Sequence, residues 1–441
     1  MKRGSFGVGV FRTCGLSAER ITRIARETGF TQRSGGKLVV PDFLVAYCAE
    51  AIKGTVSHND IAATLQAETG VAVSRQACWL RLNENGQAFF HAILAVVIRA
   101  KAIPTGWVRC PFYKRILLQD STIIQLPSRL FASFSGIRNA TLTTCHARIQ
   151  SIYDLCAGRF VQFNIDPYSK NDQAAAPDIP VHPGDLVLRD RGYFMPSLMI
   201  AHKDQGVDTI SRYKHNAYLY DVHTQARIDL LKLLRAHGRV DMPVLAGENK
   251  SLRLRLLAVP VPEELANLRR MKAKKETKGR APSAELLALM SWSIFITTLE
   301  FDRMDSDAIL ALYGLRWRIE NIFKTWKSYF SFAKLHQVSA IQCRILLAAR
   351  LILICICFHH AYVPLSVAIR RQTNRHLSLM KFMRYVCQNL FLLPHLIRPS
   401  LWTRSLVNAV ARYCSYDKRL RSNFIDNLQG LWPQPDSIPH R

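Results

Sequence analysis

Hydrophobic and polar positions follow two different periods along this 441-residue chain. From about Leu16 to Ile98 the apolar positions recur at helical spacing. From Arg115 to about Tyr213 they follow the period of strands, in short runs separated by turn residues. From Ser328 to the end the apolar pattern is helical again. The pattern therefore predicts helical regions at both ends and an α/β region between them.

The N-terminal region contains a candidate helix-turn-helix at 57–83. Ser57 can cap a helix that ends on Gly70, and Ser74 can cap a second helix from Arg75 to about Asn83. Four side chains of the second helix are candidates to face DNA: Arg75, Gln76, Trp79 and Arg81. A helical hairpin that only packs against the rest of the protein has the same spacing, so the pattern leaves both interpretations open.

The α/β region predicts a mixed sheet. Strand-forming runs occur at 115–126, 147–153, 159–165, 185–190 and 207–211, with a helix predicted from Pro196 to Lys203. The second and third runs form an antiparallel hairpin, and strand-helix-strand units follow it. Strand-like runs also occur within 227–261 and at 292–298.

Two aspartates lie in apolar strands of this region. Asp120 is in the middle of one strand, and Asp190 is at the carboxyl end of another, where open α/β sheets place their sites. An ionised carboxylate in such surroundings is costly unless something compensates its charge. A metal ion shared by several acids would do so, whereas an exposed strand edge or a paired acid is the usual alternative.

A third acid, Glu320, lies among basic and aromatic residues. At roughly 100° per residue, four side chains fall within about 60° of each other on one helix: Tyr313, Arg316, Glu320 and Lys327. Such a face suits an acid that binds a hard divalent cation, beside cations that neutralise phosphate. On spacing alone, an ordinary amphipathic helix with a solvated ion-pair face is the competing interpretation.

The composition narrows the class of partner. Sixty Lys and Arg against 32 Asp and Glu give a formal charge of +28, which favours nucleic acid or an anionic membrane. The most apolar run, Leu351–Phe358, is far shorter than the roughly 20 residues that span a bilayer. The first twenty residues lack a signal-type apolar core, and the eleven cysteines include no C-x-x-C pair. We therefore expect a reduced, cytoplasmic protein with no membrane partner.

These residues resemble a known family, the bacterial DDE insertion-sequence transposases of family four. Four residues are similar to its Y-x2-R-x3-E-x6-K (YREK) signature: Tyr313, Arg316, Glu320 and Lys327. Asp120-Ser-Thr and Asp190-Arg-Gly-Tyr look like the segments that hold the family's two aspartates. The resemblance runs from about residue 16 to residue 358, and beyond that only the basic helical character matches.

The resemblance implies an RNase H-like catalytic core in which Asp120, Asp190 and Glu320 bind two Mg²⁺ ions, with Mn²⁺ as an alternative. It also implies a β-rich insertion between Asp190 and Glu320, which are separated by 129 residues. The corresponding regions are a helical DNA-binding region at 1–105, the core at 106–213 and 300–360, the insertion at 214–299, and a basic helical C-terminal region at 361–441.

The resemblance further implies cut-and-paste movement of an insertion sequence. The element's end is nicked, the freed 3′ hydroxyl forms a hairpin, and the hairpin is opened and joined to target DNA. Double-stranded DNA would be the partner, as inverted-repeat ends and as target, with a homodimer in the synapse and a cytoplasmic location at the bacterial nucleoid.

Several further residues are assigned by the same resemblance. Tyr313, Arg316 and Lys327 resemble the family's contacts to the phosphate near the cleaved end. Trp292 stands where relatives hold an unstacked base, although a Trp that opens an apolar strand also suits a core position. Trp317 is expected to pack under the helix.

A basic cluster at 269–280 holds seven Lys or Arg and one acid, which fits either a DNA-contacting loop or a solvated helix face.

Two other classes of protein remain candidates. One is an RNase H-like metal-dependent nuclease that does not join strands, and the other is an inactive DNA-binding derivative of a transposase. The phosphate-binding residues around Glu320 and the long insertion favour the transposase over the nuclease. The presence of all three carboxylates disfavours the inactive derivative.

Overall fold

A computed structural model of the chain describes residues 7–32, 37–100, 112–139, 141–247, 249–250, 252–276, 281–336 and 338–416. The α-helices in these residues are, in chain order, α1 (Gly9–Arg12), α2 (Ala18–Glu27), α3 (Val40–Ala51), α4 (His58–Thr69), α5 (Arg75–Trp79), α6 (Glu84–Arg99), α7 (Phe131–Phe134), α8 (Asp172–Ala175), α9 (Pro196–Asp204), α10 (Leu230–His237), α11 (Glu263–Glu276), α12 (Ala284–Leu289), α13 (Ser306–Gly314), α14 (Trp317–Tyr329), α15 (Ala340–Cys355), α16 (Val363–Thr373), α17 (Leu379–Gln388), α18 (Leu393–Leu396) and α19 (Arg404–Cys414). The strands are β1 (Arg115–Leu126), β2 (Gly136–Arg138), β3 (Thr143–Asp154), β4 (Arg159–Pro167), β5 (Asp185–Arg189), β6 (Asp208–Arg212), β7 (Leu219–Asp221), β8 (Val240–Ala246), β9 (Leu252–Pro260) and β10 (Trp292–Thr297). Parallel and antiparallel pairs both occur, so the predicted mixed α/β class is confirmed.

The described residues form two compact units that interleave along the chain. The first unit takes its described residues from Met1–Arg109, Ser121–Lys170 and Trp317–Asp426. The second takes them from Cys110–Asp120 and Asn171–Arg316. Each unit therefore gathers segments that are distant in sequence.

Local capping interactions fix α4 in the first unit. The Ser57 hydroxyl accepts a hydrogen bond from the Asp60 N–H at 3.0 Å, and the Asp60 carboxylate accepts one from the Ser57 N–H at 3.2 Å. This reciprocal pair satisfies two of the free donors at the helix start. Gly70 ends the helix in the left-handed region with a φ of 74°. Both ends of α4 are where the sequence predicts them.

The next helix, α5, is shorter than predicted. Ser74 caps it by accepting from the Ala77 N–H at 3.1 Å, but it ends at Trp79. The expected continuation to about Asn83 is wrong, because Asn83 is extended and caps α6 by accepting from the Gly86 N–H. The second helix of the candidate helix-turn-helix therefore has only five residues.

A buried arginine anchors α15, which packs against α3 and α6 in the first unit. Arg350 is fully buried and donates to the backbone carbonyls of Ala51 and Gly54 at 2.7 Å each, and of Lys334 at 2.9 Å. Burial lowers the pKa of Arg350 to about 10, so the guanidinium remains charged at neutral pH. Backbone carbonyls rather than carboxylates thus solvate this buried charge.

The helix that contains α15 is much longer than the apolar run Leu351–Phe358. A π-helical segment, Ile356–Tyr362, joins α15 to α16, so that one helix extends from Ala340 to Thr373. By length and composition this helix could cross a membrane, but 83% of its most apolar window is buried within the protein. That burial is typical of a core helix.

The π-helical segment also contacts the β3–β4 hairpin of the first unit. His359 Nε2 accepts a hydrogen bond from the Phe160 N–H at 2.8 Å. The Phe160 ring packs against Trp326 and Phe358, with ring centroids 5.2 and 6.0 Å apart. Burial, with smaller contributions from His360 and Arg159, holds the pKa of His359 well below its usual value, so the imidazole is neutral.

In the second unit the strands lie in the order β1-β5-β6-β10-β9-β8-β7. The β1–β5 and β5–β6 pairs are parallel, whereas the pairs from β6 to β7 along this order are antiparallel. The antiparallel part contains the strands predicted within 227–261 and at 292–298. On one face of these antiparallel strands, Val244, Leu254 and Ile296 form a hydrophobic core with Leu234 of α10. The parallel part positions the candidate site.

Candidate active site

Two acidic residues lie at adjacent positions on neighbouring strands. In the parallel β1–β5 pair Gln119 is opposite Arg189. Asp120 and Asp190 are the residues that follow this pair on the two neighbouring segments. Side chains alternate between the faces of a sheet, and neighbouring strands are about 4.8 Å apart. The two carboxylates therefore lie on one face, next to each other. Asp120 is within β1 and Asp190 directly follows β5, as the sequence predicts.

Asp120 is paired with an arginine. Arg316 Nη1 donates to Asp120 Oδ2 at 2.7 Å, and the two side chains are only 11% and 15% exposed. An ion pair with so short a distance and so little solvent exposure compensates the free-energy cost of burying the Asp120 carboxylate. The arginine that the sequence assigns to a phosphate contact is thus in contact with one of the candidate metal ligands.

Asp190 is held by Tyr313. The Tyr313 hydroxyl lies 3.2 Å from the backbone carbonyl of Arg189 and 3.4 Å from Asp190 Oδ1, and it can donate to either. Burial raises the pKa of Tyr313, with Arg316 opposing the shift and Asp190 adding to it, so the hydroxyl keeps its proton. Its ring packs on Phe295 of β10, with centroids 4.5 Å apart. Tyr313 therefore ties the end of β5 to α13.

The stretch from Tyr313 to Lys327 is not one helix. Tyr313 lies in the last turn of α13, Arg316 in the connection, and Glu320 in the first turn of α14. After Gly314 the hydrogen bonds are of the i→i−3 type: the Leu315 N–H donates to the Leu312 carbonyl, and the Arg316 N–H donates to the Tyr313 carbonyl. Gly is a poor helix former, and such tight turns often end a helix. The prediction of a single helical face is therefore wrong.

Helix α14 of the first unit carries Glu320 and Lys327. Glu320 is half-buried. Lys327 Nζ donates to the Ile123 carbonyl of β1 at 2.9 Å, and partial burial lowers the pKa of this lysine. Lys327 is thus attached to the backbone of β1 at Ile123.

Trp317, at the start of α14, does not pack under the helix. Its side chain is 56% exposed, and Lys324 Nζ lies 5.4 Å from its ring centroid. The expectation that it is buried is wrong, because it is the first residue of α14 and Trp326 occupies the buried position further along this helix. An exposed aromatic ring three residues from Glu320 is a surface on which a base could stack.

The donor chemistry of the site suits a hard divalent cation. Asp120 and Asp190 supply carboxylate oxygens at adjacent positions, and carboxylates are the ligands that Mg²⁺ and Mn²⁺ prefer. Among the side chains that the structure describes, no three His, Cys, Asp or Glu residues form a group that could hold a metal ion. The aspartate pair therefore fits two ligand positions, and a third from Glu320 remains a prediction.

Trp292, the predicted base-holding residue, is attached to the core of the second unit. Its Nε1 donates to the Gly238 carbonyl at 2.8 Å, and its half-buried ring packs against the core beneath β8–β10. A contact with DNA would have to use the exposed part of the ring.

The candidate DNA-facing residues at 75–81 differ in exposure. Arg75, Gln76 and Trp79 are exposed. Arg81 instead donates to the Phe30 carbonyl and lies over the Phe30 ring at 5.5 Å from its centroid. Arg75 is thus available to a ligand, whereas Arg81 faces the interior of the helical region.

The basic cluster at 269–280 is partly used within the protein. Arg269 donates to Ser293 and to the Trp292 carbonyl, and Arg270 to Ser291 and Glu263. Lys272, Lys274 and Lys275 of α11 are exposed, and residues 277–280 lie outside the described residues.

Sequence reasoning did not single out Gln119 and Arg189, which precede the two aspartates. Both are buried, with exposures of 2% and 0%. A charged residue at the end of the apolar strand Asp185–Arg189 was the available signal. Gly192 was also left unexplained: a Cβ there would lie 2.8 Å from Asp172 Oδ2, so glycine fits best against α8.

Comparison with known proteins identifies the class. A family model described as "Transposase DDE domain" matches residues 112–356, which is 245 of the 441 residues and includes Asp120, Asp190 and Glu320. The chain belongs to this family of DDE transposases.

Among the curated relatives is the transposase of insertion sequence element IS231D from Bacillus thuringiensis subsp. finitimus. It is 26% identical over 414 residues, which cover 88% of this chain and 86% of the relative. The transposase of IS1151 from Clostridium perfringens is 25% identical over 355 residues, or 73% of each chain. A solved structure, the piggyBac transposase synaptic complex with hairpin DNA, is similar over 96% of this chain and 88% of that chain, with a TM-score of 0.45 and 10% identity.

Proposed function

We propose that this protein is the transposase of a bacterial insertion sequence, and that it moves the element by cut-and-paste phosphoryl transfer. The observation that carries the proposal is the pair of adjacent carboxylates, Asp120 and Asp190, within the stretch that matches the DDE domain. The relatives named for insertion sequences, which align over most of their length, support the same conclusion.

Asp120, Asp190 and Glu320 are the proposed catalytic and metal-binding residues. Two Mg²⁺ ions, or Mn²⁺, would activate the attacking oxygen and stabilise the leaving oxygen of an in-line displacement. Tyr313 orients Asp190 by donating to it or to the preceding carbonyl. An RNase H-like arrangement of this core is part of the proposal.

Arg316 and Lys327 are the proposed phosphate-binding residues. Both are positioned by protein contacts, Arg316 on Asp120 and Lys327 on the Ile123 carbonyl. A guanidinium can bind a phosphate with two parallel hydrogen bonds, whereas an ammonium acts as a point charge. Each would bind a phosphate of the DNA near the cleaved end.

The proposed reaction uses double-stranded DNA throughout. Water attacks the phosphorus at the element's end, and the 3′ oxygen leaves. The freed 3′ hydroxyl then attacks a phosphorus of the opposite strand, which gives a hairpin and releases the 3′ oxygen of the flanking DNA. Water opens the hairpin by attacking the same phosphorus, which regenerates the element's 3′ hydroxyl. That hydroxyl attacks a phosphorus of target DNA, and the 3′ oxygen of the target strand leaves. Trp292 is the proposed support for the unstacked base of the hairpin, and exposed Trp317 is a second candidate.

The assembly, the DNA contact of α5 and the cellular location are proposed on the same grounds. A homodimer would bring the two inverted-repeat ends together, and Arg75 in α5 would contribute to binding them. The protein would act in the bacterial cytoplasm at the nucleoid, consistent with a charge of +28.

The test is cleavage of a labelled duplex that contains the inverted-repeat ends of the protein's own element, with Mg²⁺, analysed on a denaturing gel. Wild type should give nicks and then hairpins at the element boundary. Glu320→Gln should reduce both products by more than about 10³-fold, since removal of one member of a catalytic group abolishes most of the rate. Glu264→Gln, the same change at an exposed position of α11, should cleave like wild type.

Other outcomes select the alternatives. Cutting at random positions without strand joining would indicate a metal-dependent nuclease. Tight binding of the ends without cleavage by wild type would indicate an inactive DNA-binding derivative.

A further inference from the structure

A buried polar pair lies directly beneath the two candidate catalytic aspartates. Gln119 and Arg189 are opposite each other in the β1–β5 register, one residue before Asp120 and Asp190. Arg189 Nε donates to Gln119 Oε1 at 2.8 Å. Because side chains alternate along a strand, this pair occupies the face opposite the carboxylates. It therefore couples the two strands at the register position next to the acids.

The same pair binds the segment that ends α8. Gln119 Nε2 donates to the Ala175 carbonyl at 2.9 Å, and Arg189 Nη2 to the Ala176 carbonyl at 2.8 Å. The other amino group of Arg189, Nη1, is buried and has no hydrogen-bond partner among the described residues. Two strands and one loop are thus connected through a single amide and a single guanidinium.

The loop that carries Asp190 is held from two further directions. Asp172 of α8 packs so closely on Gly192 that a Cβ at this glycine would clash with it. The Tyr313 hydroxyl lies within hydrogen-bond distance of the Arg189 carbonyl. The backbone on each side of Asp190 is therefore fixed by α8 or by α13, and the Arg189 side chain ties this backbone to β1.

Burial of a guanidinium without a carboxylate partner is unfavourable compared with an apolar residue of similar volume. Gln119 and Arg189 are 2% and 0% exposed, so stability alone would favour an apolar pair at these positions. The planar guanidinium of Arg189 donates to the Gln119 amide on one side and to a backbone carbonyl on the other. These directional bonds fix the distance and the angle between the segments that they join, which apolar packing does not.

We propose that Gln119 and Arg189 are positioning residues for the metal-binding pair: they set the separation and direction of Asp120 and Asp190 from the opposite face of the sheet. This inference rests on the proposed function. The two side chains do not touch the reacting atoms and act only through the backbone of the aspartates. Residues of this kind typically change metal affinity or activity about 10- to 100-fold when they are replaced.

The experiment compares metal affinity with stability in full-length protein. Mn²⁺ is titrated at about pH 8, and the free ion is measured by electron paramagnetic resonance for wild type, Gln119→Met and Arg189→Lys. Neither substitution changes the net charge, so an altered affinity reports position rather than electrostatics. We expect both variants to bind Mn²⁺ at least about tenfold more weakly, with the double variant no weaker than the weaker single variant.

Arg350→Lys is the matched control. Arg350 is also fully buried and also bonds neutral carbonyls, but it lies in α15 and holds helical segments of the first unit. The temperature of unfolding should be lowered in both Arg350→Lys and Arg189→Lys. The Mn²⁺ affinity of Arg350→Lys, however, should stay within about twofold of wild type. Gln119→Met remains informative if Arg189→Lys does not fold.

Asp190→Asn distinguishes failure of the proposed function from failure of the positioning role of Gln119 and Arg189. If wild type binds Mn²⁺ no more tightly than Asp190→Asn, the proposed function fails and the inference fails with it. If wild-type binding depends on Asp190 but Gln119→Met and Arg189→Lys bind like wild type, only the inference is overturned. Equal weakening in Arg350→Lys would also overturn it, since the removal of any buried hydrogen bond would then suffice.

Discussion

At the residue scale, the contact between Arg316 and Asp120 has a direct chemical consequence. The guanidinium lies 2.7 Å from Asp120 Oδ2 with little solvent around the pair. A divalent cation that uses this oxygen must displace Arg316, whereas a DNA phosphate offers the displaced guanidinium a new anionic partner. Metal binding and phosphate binding would therefore favour each other through the exchange of one arginine.

Arg316→Ala is expected to separate these two effects. Without its competitor, Asp120 should bind Mn²⁺ at least about fivefold more tightly, since the cation no longer has to displace an ion pair that is worth about 1 kcal/mol or more. Cleavage of the element's end should fall about 10²- to 10³-fold, as when one phosphate-stabilising donor is removed. Mn²⁺ titration and cleavage rate at the same pH measure the two quantities. Weaker Mn²⁺ binding in this variant would contradict the exchange.

At the scale of one element, the long helix from Ala340 to Thr373 combines two α-helical parts with a seven-residue π-helical part between them. Longer π segments are rare, and they change which side of a helix each residue faces. Here the segment buries His359 and His360, and the ring of His359 accepts the Phe160 N–H of the β3–β4 hairpin. The hydrogen bond requires an unprotonated Nε2.

This burial predicts reduced stability in mild acid. Burial holds the pKa of His359 well below 6.5 and lowers that of His360 to about 4. Well above pH 6.5 both histidines are neutral in the folded and unfolded chain. As the pH falls through the unfolded pKa, only the unfolded chain takes up protons, so the free energy of unfolding decreases by up to about 1.4 kcal/mol per pH unit for each histidine.

Urea unfolding between about pH 7.5 and 5.0 measures this slope. His359→Gln keeps an acceptor for the Phe160 N–H and should reduce the pH dependence by roughly one proton. His223→Gln, at an exposed position, should leave the slope unchanged. The same slope in wild type and His359→Gln would show that this histidine does not cause the acid sensitivity.

At the scale of the whole molecule, the charge of +28 makes binding to any duplex strongly dependent on salt. Part of this charge is not available to DNA, because residues such as Arg269, Arg270 and Arg350 donate to groups of the protein itself. The exposed lysines of α11 are the part of the basic cluster that remains accessible.

The α11 lysines can be tested by the slope of log affinity against log salt. Replacing Lys274 and Lys275 by Gln should reduce this slope by about two, because each lysine that binds a phosphate contributes about one. Lys232→Gln with Arg235→Gln removes the same charge from α10 and should change the slope by less. An equal change in both pairs would indicate a general charge effect instead of a DNA-binding surface at α11.

The sequence was sufficient to predict several local features. The caps at Ser57 and Ser74, the glycine end of α4, and the positions of Asp120 in a strand and Asp190 after one are all observed. These features depend on residues that are close in sequence, where side-chain hydrogen bonds, backbone conformation and apolar period act directly. The motif residues also indicated a DDE transposase, and the match to the DDE domain model confirms that family.

The tertiary structure decided which groups those residues touch. Gln119 bonds Arg189 because β1 pairs with β5, and Arg316 reaches Asp120 across 196 positions of sequence. The chain turns after Gly314 instead of continuing one helix, and Trp292 is attached to the core while Trp317 is exposed. Burial and pairing of this kind depend on contacts between distant segments. The sequence by itself therefore determined most of the elements, the candidate carboxylates and the family, and only the tertiary structure determined their partners and exposure.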